Sequence, residues 1–282
     1  FLKTCKMASK FSQWLPKKLP FRKILIFMAT VIVLYTCYDY QRRIATFQYN
    51  LTPTEKETLN ELVEVFLSIA EKEKLTYFLY AGSLLGSYRH HDIIPWDDDI
   101  DVMIPKSQAE LLKNAMVNLS GDYQLFTDLL PWKIFKVKSP NIGFFNGFVK
   151  YANFPWKYPF IDIFIYEDQG NALRDTSLWA NDYLFFKDDV FPLTTRPFFG
   201  RMMNTPKRTE RILNIMYRIQ MCETTDRIHN TEVRSLWQAS TKCDHLHKFF
   251  PFVHRHRTDK GINETVKIDN RVISWWLEQV ET

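Results

Sequence analysis

The sequence lacks repeats, low-complexity stretches, CxxC pairs and HxxxH pairs, and it holds only 8 glycines and 4 cysteines in 282 residues. Scarce, aperiodic glycine excludes a collagenous chain, and 46% hydrophobic against 24% charged residues excludes disorder. The missing CxxC and HxxxH spacings argue against zinc, although His229, His245 and His247 lie near Cys222 and Cys243. Long apolar runs are absent except at one place, which excludes a multi-span membrane protein. A basic domain is missing too. The net charge is +5, but residues 1–50 hold nine basic residues and one acid, Asp39, so the other 232 residues keep 28 basic and 31 acidic ones, a net of −3. That balance leaves no electrostatic footprint for nucleic acid.

The one apolar run is Ile24 to Tyr38, preceded by Lys17, Lys18, Arg22 and Lys23 and followed by Asp39, Arg42 and Arg43. Its 15 residues fit a signal-peptide core as well as a short span, which ideally takes about 20. The exit Tyr35-Thr36-Cys37-Tyr38 is bulky where a cleavage site needs small residues, so the run reads as an uncleaved anchor. Tyr35, Tyr38 and Tyr40 suit an interfacial belt, and the heavier basic cluster on the N-terminal side assigns that side to the cytoplasm. The expected organisation is a basic cytoplasmic tail over 1–23, a transmembrane signal-anchor over 24–40, a stem over 41–50 and one lumenal domain over 51–282. The expectation is thus a single-pass type II protein of the Golgi or endoplasmic reticulum membrane. Sequons at Asn50, Asn118 and Asn263 agree with a lumenal domain, although about two would arise by chance. Cys222 and Cys243 remain either as a disulfide in an oxidising lumen or as two buried thiols.

The domain opens with a predicted helix. Thr54 and Glu57 have capping-box spacing, and Leu59, Leu62, Val63, Phe66 and Ala70 form an apolar stripe. Tyr77 to Ala81 reads as a strand, Gly82-Ser83 as a turn into a short helix, and Trp96 to Ile104 as a strand stopped by Pro105. A second capping box, Ser107 to Glu110, starts a helix with Leu111, Leu112, Ala115, Met116 and Leu119 on one side. Strands follow at Tyr123 to Thr127, Ile134 to Lys138, Phe148 to Tyr151 and Phe160 to Tyr166, then a helix near Arg208 to Tyr217. The mixture predicts an α/β or α+β domain around a mixed sheet. Trp275, Trp276 and Leu277 read as core packing.

The chemistry concentrates in Gly82 to Ile104. An extended Trp96 to Ile104 would send Asp97, Asp99 and Asp101 to one face and Asp98, Ile100, Val102 and Ile104 to the other. Three carboxylates on one face repel one another unless a hard divalent cation neutralises them, which points to magnesium, manganese or calcium. The calcium-loop pattern, with its central Gly and terminal Glu, is absent. Asp162, alone in the apolar run Phe160 to Ile165, costs several kcal/mol unless it meets that metal or a Lys or Arg. Gly82-Ser83 at a strand-to-helix turn could present N–H groups to a phosphate.

The Gly-Ser turn, Arg89-His90, Ile94-Pro95-Trp96-Asp97-Asp98-Asp99-Ile100-Asp101 and Ile161-Asp162-Ile163-Phe164 together resemble the LicD/fukutin family. Phe135-Lys136-Val137 and Asp189-Val190-Phe191-Pro192-Leu193, with Phe199-Gly200 and Pro206-Lys207, extend the likeness from about Leu59 to Tyr217. The family's usual Gly-Thr turn is Gly82-Ser83 here. The resemblance implies a nucleotidyltransferase-like fold that moves phosphocholine or ribitol phosphate from a CDP-linked donor onto a glycan of a glycoprotein or glycolipid, with Mg2+ or Mn2+. Asp99 and Asp101 would be the metal pair, Asp97 a further ligand, and Asp162 a third carboxylate that holds metal or activates the acceptor hydroxyl. Gly82, Ser83, Arg89 and Lys136 would face donor phosphates, and His90 would be a general acid/base or a structural residue. Two alternatives remain, a DxD-type nucleotide-sugar glycosyltransferase and a non-catalytic tethered glycan-binding protein.

Overall fold

The computed structural model describes residues 21–119, 121–140, 142, 154–177, 183–225, 227–234 and 237–278. The tail before residue 21, Ser120 of the second sequon and the strand expected at Phe148 to Tyr151 lie outside the described residues. The chain divides into two compact units, Phe1–Thr46 and Phe47–Thr282. In the first, helix α1 runs Phe21–Ala45. At 1.5 Å per residue it is about 37 Å long, against a hydrocarbon core of about 30 Å. Its Lys23–Ala45 stretch is long and apolar enough to cross a membrane. The helix outlasts the expected 24–40 segment because no Pro or Gly stops it at Gln41-Arg42-Arg43.

The second unit opens with α2 (Pro53–Glu73). Its cap is Thr52, two residues before the predicted Thr54: Pro53 takes the first helical position, where a missing N–H costs nothing, and Thr52 and Glu55 bond each other's backbone. The chain continues through β1 (Phe78–Leu79), α3 (Ala81–His90), β2 (Ile100–Pro105), α4 (Ala109–Val117), β3 (Tyr123–Phe126), β4 (Trp132–Lys136), β5 (Phe160–Asp168), β6 (Ala172–Asp175) and β7 (Leu184–Phe186). Among the described residues these strands make a mixed seven-stranded sheet, ordered β1-β2-β5-β4-β3, with β6 and β7 continuing from β5. Only β2 and β5 pair in parallel there. The predicted stripe of α2 is buried and packs on β4, β5 and α4.

Further boundaries near the site also differ from expectation. Strand β2 starts at Ile100, because Ile94 to Asp97 forms a turn closed by Asp97 N–H to the Ile94 carbonyl at 2.8 Å. The Ser107–Glu110 capping box does not form: a single 3-10 turn over Lys106–Gln108 precedes α4, and Glu110 instead pairs with Lys113 at 2.7 Å. Strand β4 lies two residues earlier than Ile134 to Lys138 and so takes in Lys133, which pairs with Asp162 on the face opposite Lys136.

Beyond β7 come α5 (Lys187–Val190), the hairpin of β8 (Thr194–Phe198) and β9 (Arg201–Thr205), and α6 (Thr209–Met216). Short strands β10 (Met221–Glu223), β11 (Arg227–Ile228), β12 (Val233–Arg234) and β13 (Ser240–Lys242) follow, β10 pairing with β13 and β11 with β12. An antiparallel sheet of β14 (Phe252–Thr258), β15 (Gly261–Ile268) and β16 (Arg271–Glu278) completes the unit. The expectation that Trp275 and Trp276 are both core is corrected here. Alternation along β16 turns Trp276 onto the Arg196 guanidinium, 4.9 Å from its ring, and leaves Trp275 72% exposed.

Candidate active site

Strand register assembles the site. The parallel pairing of β2 and β5 sets Asp101 beside Asp162, and the antiparallel pairing of β5 and β4 sets Lys133 on the other side of Asp162. Directly opposed residues share a sheet face, so Asp101, Asp162 and Lys133 form one row. Asp99 joins from the residue just before β2, and Asp97 from the preceding turn. Carboxylate oxygens of Asp99, Asp101 and Asp162 lie within 4.8 Å of one another. A second set with the same spread combines Asp97, Asp98 and Asp99 with His229. Asp97, Asp99, Asp101 and Asp162 all line a cavity of about 570 Å3.

Helix α3 supplies the opposite wall. Gly82, Leu85 and Arg89 fall on one helical face and line the cavity. A Cβ at Gly82 would stand 2.8 Å from Asp97 Oδ2 and 3.1 Å from Asp101 Oδ2, so only glycine lets both carboxylates approach the first turn. The N–H of Ser83 donates to Asp101 Oδ2 at 3.3 Å, and the Asp101 N–H donates to Ser83 Oγ at 2.8 Å. Ser83 therefore orients Asp101, and its N–H is engaged there rather than offered to a phosphate. Arg89 is buried, lines the cavity and donates to the Met221 carbonyl at 3.1 Å. Burial lowers its pKa to about 10, which leaves it cationic at neutral pH.

The carboxylates are electrostatically uncomfortable. Burial, then the charge of Asp98, pushes Asp97 up to about 6. Burial, then Asp162 and Asp97, pushes Asp101 up to about 8. Burial raises Asp99 well above the usual carboxylate range despite His229 beside it, and it also raises Asp162 although Lys133 pulls the other way. The cations touching this cluster are Lys133, with Nζ 2.6 Å from Asp162 Oδ1, and His229. The carboxylate oxygens of Asp97, Asp99, Asp101 and Asp162 around this cavity are of the kind that fits a hard divalent cation.

Two expected site residues are elsewhere. Lys136 lies on the other face of β4, three residues from Lys133, and its Nζ sits 2.7 and 2.8 Å from the Glu61 oxygens on α2. His90, about 100° around α3 from Arg89, packs on Phe252 and Trp96 with Nδ1 2.5 Å from the Pro251 carbonyl. Burial, then the charge of Arg89, holds His90 well below the ordinary imidazole range, and it is not among the residues that line the cavity. Three residues that the sequence pattern did not single out take their place. Lys133 is the cation partner of Asp162, and strand alternation places it there once β4 begins at Trp132. Asp98, consigned to the core face, accepts from the His229 N–H at 3.1 Å and contacts its Nδ1 at 2.6 Å. Nothing local in the sequence links the two, which are 131 positions apart.

Cys222 and Cys243 form a disulfide with Cα atoms 5.0 Å apart, and Arg89 contacts Cys243 Sγ. Of the sequon asparagines, Asn118 is exposed at the end of α4. Asn50 donates from Nδ2 to the Trp96 carbonyl at 2.7 Å. Asn263 lies in β15, the middle strand of its sheet, with Oδ1 buried.

Lys133→Met is expected to cost about 3 kcal/mol of chelator-treated stability, because it strands one more carboxylate in a buried cluster. Adding Asp162→Asn should restore most of the loss, since both charges of the pair are then gone. Urea melts of both variants check this, and equal destabilisation of the single and double variants would contradict it.

With this geometry in view, comparison with known proteins is decisive at one point. Residues 74–208 match the model of the LicD/FKTN/FKRP nucleotidyltransferase domain. Just under half of the chain is therefore similar to the LicD family. The match holds Gly82, Asp97, Asp99, Asp101, Lys133 and Asp162, and stops before His229 and the β14–β16 sheet. The Ribitol 5-phosphate transferase FKRP of Mus musculus is 30% identical over 164 residues, 56% of this chain and 31% of that protein. The Homo sapiens FKRP is 29% identical over the same shares. The Lipopolysaccharide cholinephosphotransferase LicD of Haemophilus influenzae is 40% identical over 49 residues, 17% of this chain and 18% of its own length. The chain thus spans about a third of the FKRP proteins it matches. The lincosamide antibiotic adenylyltransferase LnuA, lincomycin-bound, aligns with 60% of this chain and 88% of its own at 14% identity and a TM-score of 0.34. That likeness is too distant to bear on fold or chemistry.

Proposed function

We propose that this chain is a metal-dependent transferase with a nucleotidyltransferase-like domain, moving a substituted phosphate of the ribitol-phosphate or phosphocholine type from a CDP-activated donor onto a glycan. The observation that carries this reading is the buried row of Asp101 and Asp162 beside Asp99, facing a cavity inside a LicD-like region whose named relatives transfer phosphate-linked groups. Asp99, Asp101 and Asp162 would hold Mg2+ or Mn2+, with Asp97 at its margin. Bound there, such an ion would supply charge neutralisation for the donor phosphates and the leaving nucleotide. The protein residues do the rest. Arg89 faces the donor phosphates, Lys133 fixes Asp162, and the acceptor hydroxyl loses its proton to a cluster carboxylate as its oxygen attacks the distal phosphorus. The P–O anhydride bond breaks and CMP leaves. Helix α1 supports membrane attachment, and the Cys222–Cys243 disulfide supports a lumenal, oxidising location for the domain.

The test is CMP release by the detergent-purified full chain given CDP-ribitol or CDP-choline, with a glycan acceptor and Mg2+ or Mn2+. Release that chelator abolishes is the expected result. Turnover of UDP-sugars with none of a CDP donor would replace this reading with a DxD glycosyltransferase.

A further inference from the structure

The domain match ends at residue 208, yet one wall of the acidic cavity comes from the β11–β12 hairpin, which delivers His229. Asp98 grips this residue twice, at its backbone N–H (3.1 Å) and at Nδ1 (2.6 Å). Asp98 is itself 1% exposed, and the Tyr158 hydroxyl donates to its carbonyl at 3.1 Å. With Nδ1 engaged, the other ring nitrogen, Nε2, faces Asp99 Oδ2, 3.3 Å away. The edge-to-face contact with Phe160, 5.6 Å between ring centroids, holds the ring in that plane.

A carboxylate on one ring nitrogen and an acidic cluster on the other is the arrangement that surrounds metal-bound histidines, where the outer carboxylate sets tautomer and ring direction. Two ligand atoms each about 2.1 Å from one ion and at right angles to it stand about 3.0 Å apart. The Nε2–Oδ2 separation is close to that value. We infer that His229 Nε2 is a nitrogen ligand of the ion held by Asp99, positioned by Asp98, and that the site therefore selects Mn2+ over Mg2+. An imidazole adds little for Mg2+, which is satisfied by oxygen and keeps its waters, whereas it strengthens binding of first-row transition ions.

This inference rests on the metal reading above, and the experiment separates the two. The detergent-purified full chain, stripped with chelator, is titrated with Mn2+ and with Mg2+ by calorimetry, and the Mn2+ complex is examined by pulsed EPR for coupling to a 14N nucleus. The expected results are 14N coupling in the native chain and its loss in His229→Gln. The Mn2+/Mg2+ affinity ratio should fall about tenfold or more in His229→Gln and in Asp98→Asn. Native chain that binds Mn2+ without 14N coupling, or an unchanged ratio in a folded His229→Gln, overturns the ligand assignment alone. Native chain that binds neither ion overturns the metal reading as well. The EPR arm needs no variant, so a misfolded His229→Gln does not blunt the test.

Discussion

Asp101→Asn is expected to abolish transfer while leaving the metal-free protein as stable as the native chain or more so. Asp101 sits at the meeting point of the site, paired across β2–β5 with Asp162, bonded through its backbone and carboxylate to Ser83, and within reach of Asp97 across Gly82. Asparagine keeps the size and an acceptor oxygen for the Ser83 N–H, but removes a charge that a divalent ion needs. Loss of one coordinating carboxylate should lower turnover by about a thousandfold or more, comparable to removing a principal electrostatic stabiliser of a transition state. Stability moves the other way. Burial and then the Asp162 and Asp97 charges raise this carboxyl to about 8, so forcing it to ionise opposes folding at neutral and alkaline pH. Thermal melts in chelator at pH 8, run beside CMP-release assays, read both effects. A folded Asp101→Asn that retains near-native transfer would remove the cluster from the chemistry.

The second large effect lies away from the cavity. Glu264→Gln is expected to cost about 3 kcal/mol of stability, because it removes the carboxylate that Arg196, Arg255 and His91 share and leaves Arg196 only Glu278 as a counter-charge. Glu264 has no solvent exposure, and it meets the 2%-exposed Arg196 at 2.6 Å, Arg255 Nε at 2.7 Å and His91 Nε2 at 2.7 Å. These contacts bind the middle strand β15 to β8, to β14 and to the end of α3. Burial alone would raise its pKa, but the His91 hydrogen bond and the charges of Arg196 and Arg255 outweigh that and bring it down to about 2. A carboxyl held below its unfolded value of 4.5 adds stability that is complete above that pH and disappears as pH falls toward 2. The native chain should therefore lose about 3 kcal/mol across that interval from this group. Glu264→Gln should lack this component of the acid transition. Denaturant midpoints at pH 7, 4 and 2.5 would show it, and parallel pH profiles for the two proteins would refute it.

Much of this protein is legible along the chain because its signals are local. The stripe Leu59 to Ala70 specifies α2 through helical spacing alone, and the apolar run from Ile24 specifies α1 through composition. Asp99, Asp101 and Asp162 stand out because carboxylates in apolar strands demand a compensating partner wherever they occur. Tertiary structure decided which partners they have. Ile94 to Asp97 became a turn and β2 began only at Ile100, so Asp97 reaches the cluster from a loop instead of by alternation. The parallel register of β2 and β5, separated by more than fifty residues, set Asp101 beside Asp162. The earlier start of β4 took Lys133 into the strand beside Asp162, and alternation put Lys136, three residues on, on the other face at Glu61. Asp98 and His229 share no sequence pattern, and folding alone brings them together. Local periodicity records which side chains must be buried, whereas charge compensation is settled between segments that meet only in the folded chain.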